Sequence, residues 1–425
     1  MTATVTRRTM LSVLLSSALW PAAAMADRAD RNAGFNGTAV NSRPAPPTRT
    51  QVMDDVSVRP MLTPASEMHI QRAIGRYEII VARGGWPRLP ESRILVPGSE
   101  DPVIALLRQR LTAEGYLPYQ SGRISIAFDD DVAEALRRFQ ANNGLYAHGR
   151  LDHATTSALN VTAAARLETL RANLARVQQY SKDLGWRYIV VNVPAGQLDA
   201  VEDGRLRSRH NVIVGMIDRP TPVLQSQISE LNFNPYWNAP VSIVEKDILP
   251  QVRKNVGILE KLNIKVFDGY GGPEVDPTAV DWSSVAPDRY FFRQEPGEDN
   301  AMATVKINFA NPYAVYMHDT PTKQLFTEAS RYFSSGCVRV DKVDILVNWI
   351  LELRPEWTPD KVKALAVTGE RTDVKLQNGP QLRFAYLTAW VTDDDQAHFR
   401  PDIYNLDGTG FITGQPVGQP VQQPG

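Results

Sequence analysis

The sequence predicts an α+β multidomain chain: a mixed β-sandwich-like domain with a lid insertion, joined to a helical scaffold and a three-helix module. Three observations predict it. The chain has 425 residues, more than one hydrophobic core usually serves. Between about 67 and 184 the apolar residues recur at helical spacing. From about 188 the pattern changes to short alternating runs rich in Val, Ile, Tyr and Phe, which read as strands.

The elements follow in chain order. Arg7 and Arg8 precede an apolar stretch over 10–24, and Ala24-Met25-Ala26 has the small-x-small form of a signal-peptidase site, so residues 1–26 read as a cleavable export signal. A membrane anchor needs about twenty apolar residues, and this stretch is shorter and broken by Ser12, Ser16, Ser17 and Pro21. Thr6-Arg7-Arg8-Thr9-Met10-Leu11 has the form of a twin-arginine signal, but paired arginines also occur in ordinary n-regions, so the export route stays open. Residues 27–62 are polar and proline-bearing and read as a disordered leader. A helical pattern over 67–82 ends at Gly84-Gly85-Trp86-Pro87 and forms the first part of the scaffold, 63–96.

Residues 97–160 read as a compact helical module. Val103, Leu106, Leu107 and Leu111 share one face, and Val132, Leu136 and Phe139 share another, while Asp152 caps a third short helix. Phe139-Gln140 and the 149–155 stretch resemble the three-helix peptidoglycan-binding domain. A spacer that keeps the fold without the ligand is the alternative. The helix over 162–184, with Leu167, Leu170, Leu174 and Val177 at helical spacing, is the second part of the scaffold, 161–185, and is expected to pack on the helix at 67–82.

The β domain spans 186–412. Its strand candidates are 188–193, 211–215, 305–309, 313–318 and 384–391. Between about 246 and 300 the chain leaves this pattern for Ile248, Val252, Ile258 and Leu262 and then Tyr270-Gly271-Gly272-Pro273. An insertion of that length just before a candidate site strand is expected to be a lid. Residues 413–425 repeat Gly-Gln-Pro-Val and read as a disordered tail.

Composition removes several functions. Residues 1–26 hold two arginines and no acids, so the chain from Asp27 carries 44 basic against 47 acidic side chains, a net charge of −3. That balance leaves no footprint for nucleic acid. The single cysteine excludes an intrachain disulfide, and six scattered histidines form no metal-binding motif, so neither metal nor cofactor is expected.

The cysteine carries the chemistry. Cys337 lies in Ser334-Ser335-Gly336-Cys337-Val338-Arg339-Val340, where small residues allow a tight turn that exposes the sulfur. His318 stands nineteen residues earlier, at the end of the strand-like run Ala314-Val315-Tyr316-Met317-His318. A thiol with a nearby imidazole is a nucleophile and its base. Either residue alone would more often be core. The Gly336 and Cys337 N–H groups are the candidate oxyanion donors, with Tyr316 a weaker helper. Asp341 is placed to N-cap the following helix, whose N-terminus would favour thiolate. Arg339 could hold a substrate carboxylate or pin the turn, and Ser335, Trp237 and Asn238 complete the candidate binding set.

His318-Asp319-Thr320-Pro321 followed by the Ser-Ser-Gly-Cys-Val-Arg-Val run resembles the YkuD-type L,D-transpeptidases, which cross-link bacterial peptidoglycan through an acyl-cysteine. Further likeness lies in Arg187-Tyr188-Ile189-Val190-Val191-Asn192-Val193-Pro194-Ala195 and in Asn234-Pro235-Tyr236-Trp237-Asn238-Ala239-Pro240, the latter pointing to the large capped periplasmic branch. Smaller members carry His-Gly-Cys where this chain has Ser335-Gly336-Cys337, so no role of that extra histidine transfers.

The resemblance implies a periplasmic, wall-associated enzyme that uses peptidoglycan tetrapeptide stems as donor and acceptor and is acylated by carbapenems. Cys337 would attack the carbonyl joining diaminopimelate to D-alanine, His318 would manage the protons, and the Asp319 carbonyl would orient His318. A 3-3 cross-link would result, serving wall biogenesis and cell shape. The same acyl-enzyme could instead serve an L,D-carboxypeptidase, a D-amino acid exchanger or an enzyme that anchors protein to peptidoglycan. A noncatalytic wall-binding protein is the reading from another class.

Overall fold

A computed structural model of the chain describes residues 51–52 and 58–409; the export signal, most of the leader and the tail lie outside the described residues. The leader is shorter than its composition predicts. Gln51–Val52 (β1) pairs with a later strand, and Met61 and Leu62 are fully buried. The Met61 N–H donates to Asp199 Oδ2 at 2.8 Å and the Leu62 carbonyl accepts from the Tyr188 hydroxyl at 2.8 Å. Two large apolar side chains outweigh the polar company they keep in sequence.

Helix α1 (Ser66–Ala82) buries His69, Ile70, Ala73 and Tyr77, one face at helical spacing. Helices α2 (Pro102–Ala113), α3 (Asp130–Asn142) and α4 (His153–Leu159) begin at Asp101, Asp129 and Asp152, whose carboxylates each accept from a backbone N–H of the first turn. Their apolar faces enclose a separate core around Leu107, Leu111, Leu136 and Phe139. Gln140 is fully buried there, and its amide holds the Gly149 N–H, the Arg150 carbonyl and the Thr155 hydroxyl at 2.8–2.9 Å.

Helix α5 (Ala163–Tyr180) lies antiparallel to α1, with Gln178 on Glu67 at 2.9 Å and Arg171 on Glu78 at 2.7 Å. It stops at residue 180 rather than 184, where Asp183 and Gly185 take positive φ. The inner faces of α1 and α5 join the core of the β domain through Ile70, Tyr77, Leu170 and Val177.

The β domain contains β2 (Arg187–Asn192), β3 (Gln197–Glu202), β4 (Arg205–Gly215), β5 (Leu224–Phe233), β6 (Trp237–Asn238), β7 (Ile264–Phe267), β8 (Phe291–Gln294), β9 (Val305–Phe309), β10 (Met317–His318), β11 (Tyr332–Ser334), β12 (Val338–Val340), β13 (Thr372–Lys375), β14 (Gln381–Ala385), β15 (Ala389–Val391) and β16 (Ala397–Phe399). Helices α6 (Val343–Leu351) and α7 (Pro359–Thr368) follow β12.

Two strands build the sandwich by serving both layers. The first part of β4 pairs with β3 and its end with β12, while the first part of β5 pairs with β14 and its end with β9 and β13. One layer thus holds β3, β2 and β14, and the other β12, β10, β9 and β13, with β4 and β5 as the corners. Inward residues of the second layer, Val305, Ile307, Met317, Val338 and Val340, alternate with outward polar ones and pack against Ile189, Val191, Leu382 and Phe384.

The insertion has a core of its own. Trp237, Ile248, Leu249, Val252, Val266, Trp282 and Phe292 cluster apart from the sandwich, over a small sheet in the order β6, β8, β7. It therefore starts near residue 237, not 246, and contains strands as well as helical turns; β7 and β8 carry too short an alternation to show in sequence. The 384–391 strand candidate is β14 and β15 with a break between them.

Candidate active site

Parallel pairing of β10 with β12 sets Met317 against Val338 and His318 against Arg339, so the nineteen-residue separation of His318 and Cys337 closes to neighbouring strands. The strand before His318 is shorter than the alternation predicts. Ala314 takes φ 54°, and the Asn311 side chain closes the preceding loop through the Val315 carbonyl at 2.8 Å and the Tyr313 N–H at 3.0 Å. Only residues 317–318 remain in the ladder.

Cys337 follows a turn held from three sides. Gly336 has φ 111°, a backbone that favours glycine, and it faces the Pro220 carbonyl. Its carbonyl accepts from Thr221 Oγ1 at 2.9 Å, and that same hydroxyl accepts from the Gly215 N–H at 2.8 Å. The Ser334 hydroxyl donates to the Cys337 carbonyl at 2.5 Å. Behind them the Tyr404 hydroxyl donates to the Gly215 carbonyl at 2.6 Å and accepts from the Thr221 N–H at 3.2 Å. Gly215 is glycine because a Cβ would run into the Arg219 carbonyl.

Two expectations need correction here. The Gly336 N–H donates to Ser334 Oγ at 3.2 Å, so it is not the free oxyanion donor that the small residues imply. Asp341 does not cap α6: Lys342 occupies that position in the left-handed region without a side-chain cap bond. The Asp341 N–H instead donates to the Asn211 carbonyl at 3.0 Å. Strand β12 also separates Cys337 from α6, so the helix N-terminus does not bear on the sulfur.

His318 is buried, and its Nδ1–H donates to the Asp319 carbonyl at 2.5 Å. A carbonyl can only accept, which puts the proton on Nδ1 and leaves Nε2 as the lone pair. The Asp319 carboxylate is occupied elsewhere, by Thr304 Oγ1 at 2.7 Å and by Lys323. Burial, with Arg339 and then Lys306 adding positive charge, lowers the His318 pKa to about 3.

Burial raises the Cys337 thiol pKa, against the pull of the Tyr316 N–H and hydroxyl and of Lys306 and Arg339. The resting pair is therefore a neutral thiol beside a neutral imidazole. The half-buried Tyr316 ring stands edge-on to His318 at 5.4 Å, and its hydroxyl lies close enough to Cys337 and Trp237 for both to act on its charge. The Tyr316 phenol is held protonated by burial first and by Cys337 second.

The other candidates divide. Arg339 donates to Thr322 Oγ1 at 3.2 Å, and the exposed Ser335 accepts from Arg219 at 3.0 Å. Arg219 in turn grips Asp247 of the insertion at 2.6 and 3.0 Å, tying that subdomain to the cysteine turn. Trp237 is buried and reaches the site through Tyr316, whereas exposed Asn238 pairs with Arg293 in the insertion's sheet. Thr221, Arg219, Lys306 and Tyr404 were not legible as site residues; only the Pro220-Thr221-Pro222 bracket marks Thr221 as a fixed turn. Among the described residues no group of three or more His, Cys, Asp or Glu is placed to hold a metal, and no helix is long and apolar enough to cross a membrane.

A sandwich that sets a cysteine turn beside a histidine strand defines a thiol–imidazole class of site. Residues 187–374 match the L,D-transpeptidase catalytic domain family, YkuD, and residues 100–159 match the family described as "Putative peptidoglycan binding domain". The chain thus carries a YkuD-type L,D-transpeptidase catalytic domain and a peptidoglycan-binding-type domain. A curated relative from Haemophilus influenzae, named "Putative L,D-transpeptidase", is 34% identical over 220 residues, covering 52% of this chain and 44% of the relative. The chain matches less than half of that relative's length. Among solved structures, the L,D-transpeptidase (residues 123-326) from Xylanimonas cellulosilytica is 15% identical, with 70% of this chain and 98% of that chain covered and a TM-score of 0.21. A fused amidase/peptidase and peptidoglycan-binding protein from Clostridium acetobutylicum is 12% identical over 60% of this chain and 94% of that one, with a TM-score of 0.16. At those scores neither likeness bears on the fold.

Proposed function

We propose that the protein is an exported L,D-transpeptidase that forms 3-3 cross-links between peptidoglycan tetrapeptide stems through an acyl-cysteine. The observation that carries this reading is the placement of Cys337 beside a His318 whose Nδ1–H is fixed on the Asp319 carbonyl, leaving Nε2 as base. Because burial disfavours both charges, the proton leaves the thiol for Nε2 as sulfur attacks, not before. The carbon–nitrogen bond to D-alanine then breaks, and the amine takes the proton from His318. A thioester remains on Cys337. The amine of a second stem attacks the thioester carbonyl and gives a proton to His318; the carbon–sulfur bond breaks, the proton passes from His318 to sulfur, and the cross-linked amide leaves.

The Cys337 N–H and the Tyr316 hydroxyl are the donors assigned to the developing oxyanion, and the insertion serves as lid, shielding the thioester from water. The three-helix module holds the enzyme on the wall. The test is incubation of the purified chain with tetrapeptide muropeptides, followed by mass spectrometry. Dimers and released D-alanine are expected from the wild type, and neither product nor carbapenem adduct from Cys337→Ala. Shortened monomers alone would assign hydrolysis instead, and turnover by Cys337→Ala would overturn the mechanism.

A further inference from the structure

We propose that Lys306 is a carboxylate-reading residue of the cleft, selecting acidic peptide substrates at a subsite beside Cys337. The inference deepens the proposed transpeptidase reading and rests on it for the nature of the peptide. Strand register makes the case. Lys306 lies directly opposite His318 on one side and Asn232 on the other, and His318 lies opposite Arg339, while Asn232 lies opposite Asp373. Directly paired residues point to the same face, so Asp373, Asn232, Lys306, His318 and Arg339 form one polar row across five strands.

Lys306 is the member of that row without a partner. Asn232 donates to Asp373 at 2.8 Å and Arg339 to Thr322 at 3.2 Å, but Lys306 makes no hydrogen bond or ion pair among the described residues. The acids nearby are spent or too far. Asp319 is held by Thr304 and Lys323, and Glu230, which acts on Lys306 electrostatically, is not within ion-pair distance. The half-buried ammonium instead rests over the Tyr316 ring, 4.4 Å from its centroid.

A half-buried cation facing a neutral nucleophile and a neutral base leaves net positive charge in the cleft. A ligand carboxylate would discharge it. Neighbouring strands are about 4.8 Å apart, so Lys306 is rooted one strand from His318, and its charge also acts on Cys337, which places a carboxylate bound to it in the same cleft as the reacting pair. Arg339 stands one strand to the other side, so the two cations bracket His318.

Cys337 is the chain's single cysteine, so alkylation reports on it alone. Iodoacetate and iodoacetamide form the same sulfur–carbon bond with loss of iodide and differ in whether they carry a carboxylate. The ratio of their rate constants should fall roughly tenfold in Lys306→Met and Lys306→Gln, stay near wild type in Lys306→Arg, and shrink in the wild type as salt is raised. Stem peptides with amidated carboxylates should lose their KM advantage in parallel in the wild type but not in Lys306→Met. Equal changes with both reagents would mean that Lys306 acts through the sulfur, and no change would mean that it only packs on Tyr316; either overturns the proposal. The alkylation ratio reads Lys306 even if muropeptides are not turned over, which separates this failure from that of the transpeptidase reading.

Discussion

Replacing Thr221 with valine should cost more than its position suggests. Thr221 is fully buried, and valine has the same shape, so no cavity opens. What is lost is one hydroxyl with two duties, accepting from the Gly215 N–H at 2.8 Å and donating to the Gly336 carbonyl at 2.9 Å. Each of the two groups left unpaired in a buried site costs about 1–3 kcal/mol, so Thr221→Val should destabilise the fold by about 2–6 kcal/mol. Thr221→Ser keeps the hydroxyl and gives up a methyl, a loss of about 1 kcal/mol.

The two variants therefore differ in the hydrogen bonds and little in packing. Urea unfolding with an unchanged m-value reads stability, and the rate of carbapenem acylation, followed by mass, reads whether the turn still presents sulfur. Acylation should fall in the valine variant and hold in the serine variant. A valine variant within 0.5 kcal/mol of wild type that acylates normally would refute the view that Thr221 holds the cysteine turn.

Acid stability should report His318. Its folded pKa of about 3 lies below the ordinary value of 6.5, so between those values the unfolded state binds the extra proton, and stability is full above about 6.5 and lost as pH falls toward 3. His318→Gln should reduce the slope of unfolding free energy against pH by up to one proton in that window, leaving the share of the buried His210 and His398, whose pKa values are also lowered. An unchanged slope would contradict a buried neutral His318. For Arg219 and Asp247, a double-mutant cycle with Leu and Asn should show a coupling of about 1 kcal/mol, and breaking the pair should raise hydrolysis relative to cross-linking; zero coupling would remove the tether. Hydrogen exchange in the glycine loop over 269–272 should slow on carbapenem acylation, and identical exchange would mark the insertion as static. Excision of residues 97–160 should weaken sedimentation with sacculi more than acylation by a small β-lactam, and equal effects would favour a spacer.

How much was legible depended on the range of the interaction. Helices α1 to α5 were readable because amphipathic spacing and capping aspartates act within a few residues. Cys337 and His318 were readable because their chemistry is rare and their local turns are distinctive. The Gly336 N–H misled, since the same small residue that frees a backbone donor stands two places from a serine hydroxyl that captures it. Asp341 misled similarly: it has the right side chain for a cap, but a long-range bond to Asn211 keeps its backbone on the strand side. Lys306, Thr221 and Arg219 owe their places to pairings across 12 to 116 residues, and no local pattern records a register of that span.

Tyr404 gives the site a calendar. Its hydroxyl backs both Gly215 and Thr221, and β14, which lies between β5 and β2 in the sandwich, is also drawn from beyond residue 374. The stretch that matches the catalytic family ends before either is made. A chain cut short between 374 and 381 already holds Cys337 and His318 but has a gap in one layer, and any chain ending before 404 has no brace behind the cysteine turn. The site is therefore completed last: Cys337 is synthesised before the strand and the tyrosine that back its turn, and is positioned only when nearly all of the described chain has been made.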